Sequence, residues 1–405
     1  MSSERFKIGR LELHSPFLDF TLAPWWETGP SEQEPLTCEQ LRKIYLQNGG
    51  DQIKGKILKT DGITVRDLDG SEVPAEVLNI SGLFQVLVNG ETLTVCAFRR
   101  DIPGVEGRGD VGIGILENDS LLPIKNGRVF PEEKGDQIKG YEDPKRVQIG
   151  NSWVLIMTKV KKEGWQMSFQ LDSDLNRLDE YREFASGPEG MKDITLVELQ
   201  DGRILVFTRP EREIEYLSIN GHLDRVTIKQ VGWIIIDDLT QLTPETINRA
   251  KMIENLFAWG EWGGVNDAIL LENGKIGVLG HIAYEDKEHN KHYYPITFEF
   301  DPETGLVDNF QIIATKDNFP EAKGVAKIVK GKKETHLVDV VYFNGMDAYE
   351  LEVERDGKIE KIVMIRYYGG AGDKVPVVLE KESTFSARPK RFIKLYEQSR
   401  QLQAV

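Results

Sequence analysis

Apolar and polar residues alternate in short runs along most of the chain, and the runs come in pairs joined by tight turns. Turn dipeptides mark four pairs, and a weaker fifth pair turns near Gly331. The four dipeptides are Asn89-Gly90, Gly150-Asn151, Asp201-Gly202 and Asn273-Gly274. Asn-Gly and Asp-Gly are typical of β-hairpins, because a type I′ turn needs positive φ at both central positions. The pattern therefore predicts five hairpins.

A second pair of strand-like segments follows each hairpin. These followers are apolar runs that end in turns containing Asp or Asn, such as GDVGIGILEND and YYPITFEFDPETG. The turns recur about every 50 to 70 residues, near the length of one propeller blade. Five hairpins and five followers make about 20 strands, more than a two-sheet sandwich needs. We therefore predict an all-β fold, a five-bladed β-propeller decorated by a few helices.

Three segments have the features of helices. One begins after Thr37, where Thr37 and Gln40 have capping-box spacing, and ends at Gly49-Gly50. The second follows Thr243 with the sequence PETINRAKMIENLF, and the third is the C-terminal segment PKRFIKLYEQSRQLQ. None of them interrupts the strand repeat, so we expect them to pack on its outside.

These segments divide the chain into three parts. Residues 1–50 are predicted to be an N-terminal arm with one helix, residues 51–385 the propeller, and residues 386–405 a C-terminal helix. A propeller must close on itself, and the strand-like stretch 54–65 is expected to pair with the last blade and cover its edge. The apolar arm is suited to packing on the propeller or on a partner subunit, which leaves homo-oligomerisation open.

Composition and charge narrow the functional classes. Of 405 residues, 40% are hydrophobic and 29% charged, and 51 Lys and Arg against 66 Asp and Glu leave a net charge of −15. So acidic a chain lacks the general electrostatic footprint of a nucleic-acid-binding protein. Cys38 and Cys96 make neither a disulfide framework nor a zinc cluster. Without a signal peptide or an apolar run of about 18 residues, we expect a cytoplasmic protein with no membrane partner.

Polar side chains cluster where the predicted first strands begin and the second strands end. First strands line the channel of a propeller, and a hairpin places the start of one strand beside the end of the next. We therefore expect these side chains to meet at one mouth of the channel. At the first-strand starts they are Asn79, Glu142, Asp143, Lys192, Asp193, Asn266 and Asp267. At the second-strand ends they are Arg99, Arg100, Asp101, Lys159, Arg209, Arg212 and His281.

Carboxylates and cations in one channel mouth suit carbohydrate chemistry. A carboxylic acid can protonate a glycosidic oxygen, and cations can hold an anion. The same Asp and Asn residues could instead cap turns and join neighbouring blades. Trp262, before Gly263-Gly264, is either a platform for a sugar ring or a core residue.

Other chemistries lack their sequence signals. The six histidines show no metal-binding spacing. No GxSxG elbow, P-loop or glycine-rich dinucleotide motif follows a predicted strand. We predict neither a metal nor a cofactor.

Several runs resemble a bacterial and protozoan family long described as a domain of unknown function. They are GPEGMKDITLVELQDGRILVFTRP, EWGGVNDAILLENGKIGVLGHIAYED, HYYPITFEFDPETG, NFPEAKGVAKIV and LVDVVYFNG. The resemblance spans roughly Gly62 to Asp347. It implies a five-bladed propeller akin to inverting β-mannoside phosphorylases. Some members act as β-1,2-mannosyltransferases or phosphorylases, with mannose 1-phosphate or GDP-mannose.

The resemblance also implies roles for individual residues. Asp143, before Pro144, matches the second-blade aspartate and is the expected general acid. Arg209 and His281 match strand ends expected to bind phosphate. The residues expected to hold the sugar, in part from their place at the channel mouth, are Asn79, Arg99, Arg100, Asp101, Glu142, Lys192, Asp193, Trp262, Asn266 and Asp267. The sequence departs from the family pattern at Glu142, where glutamine is expected, and at Lys145, where an aromatic residue is usual.

These features predict an inverting glycoside phosphorylase or glycosyltransferase acting on β-mannosides. Its ligands would be a small carbohydrate and phosphate or a sugar phosphate, and one carboxylic acid suffices because phosphate is the nucleophile. An inverting hydrolase is the first alternative, and it needs a second carboxylate such as Asp101, Asp193 or Asp267. A non-catalytic carbohydrate-binding propeller is the other, since fold alone does not give function.

Overall fold

The structure is a computed structural model, and it is built almost entirely of β-strands. It describes residues 35–67, 70–104, 109–124, 129–130, 138–172, 176–217, 223–322, 326–330, 333–355 and 358–393. The predicted all-β class is confirmed. The first 34 residues of the predicted arm lie outside the described residues.

The N-terminal segment begins with a capped helix. Helix α1 (Cys38–Gln47) has the predicted capping box, in which the Thr37 side chain accepts from the Gln40 N–H and the Gln40 side chain accepts from the Thr37 N–H. It is followed by a 3₁₀ turn (Gly50–Gln52) and by three short strands. These strands are β1 (Lys56–Ile57), β2 (Thr64–Arg66) and β3 (Glu72–Pro74). Strands β2 and β3 form a small hairpin of their own.

The first two antiparallel groups, which we call sheets I and II, follow in chain order. Sheet I consists of β4 (Glu76–Ile80), β5 (Phe84–Val88), β6 (Glu91–Asp101), β7 (Asp110–Glu117) and β8 (Ser120–Pro123), with both β4 and β5 paired to β6. Sheet II consists of β9 (Ile138–Ile149), β10 (Ser152–Lys161), β11 (Trp165–Leu171) and β12 (Arg182–Ser186), with a 3₁₀ turn at Leu178–Glu180.

Sheet III is interrupted by a separate hairpin. It contains β13 (Thr195–Glu198), β14 (Ile204–Thr208), β17 (Gly232–Ile236) and β18 (Lys251–Met252), and the inserted hairpin is β15 (Glu211–Leu217) with β16 (Leu223–Lys229). A 3₁₀ turn (Leu239–Gln241) and the short helix α2 (Pro244–Ile247) lie between β17 and β18. The second predicted helix is therefore wrong in extent: one helical turn follows Thr243, and the chain then enters β18.

Sheets IV and V join, together with β1, into one nine-stranded sheet. Sheet IV contains β19 (Trp262–Leu270), β20 (Ile276–Glu285), β21 (Lys291–Phe300) and β22 (Val307–Ile312), followed by a 3₁₀ turn at Lys316–Asn318. Sheet V contains β23 (Ala326–Lys330), β24 (Lys333–Arg355), β25 (Lys358–Ala371) and β26 (Val375–Glu382), and β24 pairs in parallel with β21. Residues 386–393 contain no helix, and the rest of the predicted C-terminal helix lies outside the described residues.

The first four predicted hairpins are confirmed, but their turns differ in type. Asn89 (φ 51°) and Gly90 (φ 88°) both have positive φ, as a type I′ turn requires. At Asp201-Gly202 only the glycine has positive φ, and the Leu199 N–H donates to the Arg203 carbonyl. Three-residue loops with glycine in the left-handed region are the next common hairpin connection.

The fifth predicted hairpin is present as β23 and β24, but its second strand is longer than the pattern predicts. Strands β23 and β24 do pair, but β24 continues as a single strand to Arg355 and pairs with β25 over most of its length. The long strand that borders the other sheets is therefore the second half of β24. The predicted closing strand is confirmed for β1, which pairs antiparallel with β26 and covers the edge of sheet V.

The hydrophobic core is divided into five clusters, each lying between two sheets. The clusters join sheet I to II, II to III, III to IV, IV to V and V back to I. Helix α1 adds its buried face, with Leu41 and Tyr45, to the cluster between sheets III and IV. Each sheet therefore buries both faces, with about 1.5–3 kcal/mol gained for each large apolar side chain removed from water.

Candidate active site

Each sheet has one Asn or Asp at a similar position, on the inner strand β4, β9, β19 or β24 or, in sheet III, two residues before the inner strand β13. These residues are Asn79, Asp143, Asp193, Asn266 and Asn344. Backbone irregularity marks four of the positions: the β4 and β9 pairings shift register beside Asn79 and Asp143, and bulges leave Asn266 and Asn344 without a pairing partner. Bulges re-aim side chains and are common beside active sites. Asp143 and Asp193 also have positive φ, at 52° and 54°, which Asp tolerates better than most residues do.

Asp143 lies in a buried cluster of charged groups between sheets I and II. Asn79 Nδ2 donates to Asp143 Oδ1 at 2.9 Å. Arg99 Nη1 lies 3.6 Å from the same oxygen and 3.4 Å from Glu142 Oε2. Arg99 also donates to both carboxylate oxygens of Asp101, at 3.1 and 2.7 Å. The structure thus brings together five of the residues that the sequence predicted.

The adjacent carboxyls Glu142 and Asp143 have opposite pKa shifts. Burial and the negative charge of Glu142 raise the pKa of Asp143, against the opposing charge of Arg99. Burial alone would raise the pKa of Glu142 too, but Lys192, whose ammonium donates to Glu142 Oε1, and Arg99 lower it. Glu142 is therefore a stronger acid than an ordinary carboxyl and Asp143 a weaker one, an arrangement that suits Asp143 as a general acid.

Asp193 is the centre of a second cluster, formed by residues of sheets II, III, IV and V. Its carboxylate lies 2.5 Å from Arg209 Nη1 and 3.5 Å from Lys145 Nζ, and it accepts a hydrogen bond from the Tyr342 hydroxyl at 3.0 Å. Burial would raise the pKa of Asp193, but the charges of Arg209 and Lys145 hold it far below its usual range. Burial lowers the pKa of Lys145. This cluster contains the cations that an anionic ligand would need.

His281 borders this cluster as a neutral imidazole. Burial lowers its pKa to about 3. Asn266 Nδ2 donates to the Phe343 carbonyl at 2.7 Å, so Asn266 Oδ1 is the acceptor that faces His281 Nδ1 at 3.0 Å. The proton of His281 is therefore on Nδ1, and Nε2 lies 3.8 Å from Asp193 Oδ2. His281 can donate from Nε2 only after taking up a second proton.

Partly exposed aromatic rings lie beside both clusters. The Trp262 ring packs edge-on against Tyr293 with centroids 6.0 Å apart, and the Tyr293 ring lies 6.1 Å from His281. Trp165, which the sequence did not single out, lies under Lys192 with the ammonium 4.6 Å from its ring centre. Trp262 is therefore not simply a core residue. Both tryptophans can offer a face to a sugar ring.

Two predicted residues lie in other clusters. Arg100 pairs with Asp110 and donates to the Thr64 carbonyl. Asp267 accepts from Arg146 Nη1 at 2.9 Å and from the Met346 N–H at 2.8 Å. Their expected contact with sugar stays a prediction that these pairings do not favour. Of the two cationic strand ends named beside Arg209, Lys159 is held by Glu183 at 2.7 Å, and the side chain of Arg212 lies outside the described part of the structure.

Sequence reasoning missed four polar residues of sheets II and V. They are Lys145, Tyr342, Asn344 and Asp373. Lys145 was noted only as a departure from the family pattern. The sequence pattern does not indicate Asn344 and Tyr342, because it places the fifth inner strand at β23, whereas the inner strand of sheet V is β24. Asp373 is in the turn between β25 and β26, within the run YYGGAGDKVPV, which follows the family pattern only loosely.

Neither a metal site nor a membrane span emerges from the described residues. No group of three or more His, Cys, Asp and Glu side chains among them is arranged to hold a metal ion. Likewise, no helix in this part of the chain has the length and apolarity needed to cross a membrane.

Solved structures from Leishmania mexicana share this fold. The mannose phosphorylase MPT-4, in complex with a phosphate ion, is 23% identical, covers 84% of this chain and 92% of its own, and has a TM-score of 0.61. The GDP-Man-dependent mannosyltransferase MPT-1 is 24% identical, covers 86% and 95%, and has a TM-score of 0.63. At such identities the likeness is evidence of fold alone.

Comparison of sequences gives the family. No curated protein matches the chain. The family described as "Protein of unknown function (DUF1861)" matches residues 125–379, which is more than half of the chain. The resemblance found in the sequence is thereby confirmed, and the chain belongs to the DUF1861 family.

Proposed function

We propose that this protein is an inverting glycoside phosphorylase or glycosyltransferase that acts on β-mannosides. The observation that carries the proposal is the pair of clusters: a carboxyl with a raised pKa, Asp143, and a nearby group of cations around Asp193. The likeness in fold to a mannose phosphorylase and a mannosyltransferase supports the sugar class.

We also propose that sheets I to V are the five blades of one propeller, within residues 51–385. The five core clusters join the sheets in a closed cycle, and the inner strands β4, β9, β13, β19 and β24 contact one another. The pairing of β1 with β26 supplies the closure that such a ring requires.

In the proposed phosphorolysis, Asp143 protonates the leaving glycosidic oxygen. A phosphate oxygen attacks the anomeric carbon from the opposite face, the glycosidic C–O bond breaks, and the products are a sugar 1-phosphate and a shortened acceptor. In the synthetic direction the Asp143 carboxylate takes a proton from the acceptor hydroxyl. Phosphate is the nucleophile, so no second carboxylate is needed.

Arg209, Lys145 and His281 are proposed to hold the anion. Arg209 and Lys145 are already positioned by Asp193, and each has donors left for a ligand. A phosphate next to His281 Nε2 would raise the pKa of that imidazole, which could then donate from both nitrogens. Arginine and lysine together can offset the charge of a phosphate in a protein that is acidic as a whole.

The contacts weigh against the three carboxylates that the sequence suggested for the hydrolase alternative. An inverting hydrolase needs a carboxylate that is available to activate water. The three carboxylates named for that role are each held by an arginine: Asp101 by Arg99, Asp193 by Arg209 and Asp267 by Arg146. A paired carboxylate with a lowered pKa, as in Asp193, is a poor base.

Phosphate release from mannose 1-phosphate tests the proposal directly. The assay uses a panel of acceptor sugars and compares the parent with Asp143→Asn. Asn accepts the positive φ of position 143, so the variant should fold and keep the bond to Asn79. We expect acceptor-dependent release by the parent and a loss of at least about 100-fold in the variant, the usual contribution of a general acid.

The control for this assay is Asp119→Asn. Asp119 also has positive φ, at 60°, but pairs with Lys56 on the surface, so its loss should leave the rate unchanged. A parent-like rate for Asp143→Asn would refute the assignment of the acid. Release from GDP-mannose but not from mannose 1-phosphate would identify a nucleotide-sugar transferase. If neither donor reacts, the transferase proposal is wrong.

A further inference from the structure

Most carboxylates of the candidate site have a cationic partner. Arg99 holds Asp101, Lys192 holds Glu142, and Arg209 and Lys145 hold Asp193. Asp143 receives the amide of Asn79. Such pairing fixes the side chains but uses the oxygens that a ligand would otherwise contact.

Asp373 has no such cationic partner among the described residues. It lies in the turn that joins β25 to β26 and has positive φ, at 51°. The residue is half-buried, and within the described ranges no side chain or backbone group forms a hydrogen bond or an ion pair with its carboxyl. Asn344, on the adjacent strand β24, is fully buried, and neither atom of its amide has a partner among those residues. Sheet V thus has two polar side chains that its own fold does not use.

The backbone of sheet V brings Asp373 to the site. Gly370 lies so close to β4 that an added Cβ would be 2.2 Å from the Leu78 carbonyl oxygen and 3.2 Å from the Asn79 Cβ. Any larger residue at 370 would push the two strands apart. Asn79 is the residue that bonds Asp143, so the end of β25 and the turn after it lie beside the proposed acid.

The electrostatic surroundings of Asp373 agree with this position. Burial raises its pKa to about 6, helped by the negative charges of Asp143, Glu142 and Asp101 and opposed by Arg99. These four groups are the charged members of the Asp143 cluster. Asp373 therefore belongs to the same site electrostatically, although it is far from them in sequence.

We propose that Asp373 is a further substrate-binding residue, whose carboxylate accepts hydrogen bonds from hydroxyls of the neutral sugar that accepts or leaves at Asp143. This rests on the proposed function. Sugar hydroxyls are donors that an unpaired carboxylate can bind, whereas a phosphate would be repelled by it. The acceptor sugar would then lie toward sheet V and the anion toward Arg209, which sets the direction of the substrate across the site.

The test is Asp373→Asn, measured with acceptor and donor separately. Asn fits the positive φ and keeps the size of the side chain, so only the charge changes. We expect the KM for the acceptor to rise about tenfold, as for the loss of one charge-assisted hydrogen bond, while the KM for the donor changes less than twofold. The test also uses a series of acceptors that each lack one hydroxyl. The parent and the variant should bind equally the one acceptor that lacks the hydroxyl held by Asp373.

Direct binding separates this inference from the proposed function. Calorimetric titration of the acceptor panel into the parent, Asp373→Asn and the control Asp119→Asn needs no turnover. Weaker binding by Asp373→Asn alone supports the inference even if the parent transfers no mannose, in which case only the proposed function fails. Equal binding by parent and Asp373→Asn overturns the inference even where transfer is measured. A parent that binds no sugar of the panel overturns both.

Discussion

At the scale of single residues, the surroundings of Glu142 and Asp143 give these two similar carboxyls opposite pKa shifts. Both are carboxyls on β9, one after the other, yet Lys192 lies on Glu142 and the buried Asn79 amide on Asp143. The resemblance to a known family leads us to expect glutamine where this chain has Glu142. The extra negative charge raises the pKa of Asp143, so in this protein Glu142 helps to keep the proposed acid protonated.

Replacing Glu142 by Gln should therefore move the pH dependence of phosphorolysis. Without the negative charge, and with Arg99 and Lys192 still present, the pKa of Asp143 falls. In the proposed mechanism phosphorolysis needs protonated Asp143, so its rate should begin to decline at a lower pH than in the parent and be about tenfold lower above neutral pH. The measurement is kcat/KM against pH. Glu189→Gln, an exposed partner of Lys161, is the matched control, and an unmoved basic limb in Glu142→Gln would contradict the argument.

At the scale of elements, one buried asparagine attaches the N-terminal segment to the sheets. Asn318 Nδ2 donates to the carbonyls of Gly50 and Ile53, at 2.9 and 2.7 Å, and its Oδ1 accepts from the Tyr45 hydroxyl at 3.0 Å. Its Oδ1 also accepts from the Thr315 N–H at 2.8 Å. The 3₁₀ turn at Lys316–Asn318 thus positions the chain that leads from α1 into the closing strand β1.

Asn318→Ala should destabilise the protein by about 2–4 kcal/mol. Four hydrogen bonds are lost and buried backbone groups are left without partners, at about 1–3 kcal/mol for each such group that water cannot reach. The free energy of unfolding in urea measures the effect. Asn248→Ala, at an exposed helix end, should change it by less than about 0.5 kcal/mol. A similar small change in Asn318→Ala would show that the closing segment is held by other contacts.

At the scale of the whole molecule, Arg146 of sheet II connects four sheets. Its guanidinium donates to the carbonyl of Leu83, between β4 and β5 of sheet I, to Asp267 in sheet IV and to Asp347 in sheet V. All three charged side chains are buried. Burial raises the pKa of Asp267 to about 6 even with Arg146 beside it, so the arginine is what allows this carboxylate to remain ionised at neutral pH.

Arg146→Met should cost about 3–5 kcal/mol at neutral pH, because two buried carboxylates lose their counter-ion. The loss should be smaller at pH 5. A carboxyl whose pKa is higher in the folded than in the unfolded protein stabilises below its unfolded pKa and loses that stabilisation as pH rises through the folded value. Urea unfolding at pH 5 and pH 8 measures this. Arg391→Met, which removes an exposed ion pair to Glu198, is the control, and equal losses at both pH values would contradict the electrostatic cause.

Much of the fold was predictable because hairpins are local. The turn dipeptides near Asn89 and Asn273 lie between strands that pair directly with each other, so a short window of sequence contains the whole signal. The fifth hairpin has no Asn-Gly or Asp-Gly dipeptide at its turn. The sequence pattern therefore does not predict that β24 continues to Arg355. Helix α2 begins after the predicted cap at Thr243 but is a single turn long. The residues that follow it form β18, which pairs with β17 at the edge of sheet III.

The sequence by itself determined the strand repeat and the polar residues at strand ends, because both depend on neighbouring residues along the chain. The proposal of Asp143 as the acid came from the resemblance to a known family. Only the tertiary structure decided which of those polar residues share a site. Asn79 donates a hydrogen bond to Asp143, and Asp193 pairs with Arg209. Asp267 instead pairs with Arg146, away from both clusters. Asp373 joins the site from the far end of the chain. The physical reason is that the pairing of charges depends on their distance in space. That distance is set by the arrangement of the sheets in a cycle, and it cannot be read from the separation of the residues in the sequence.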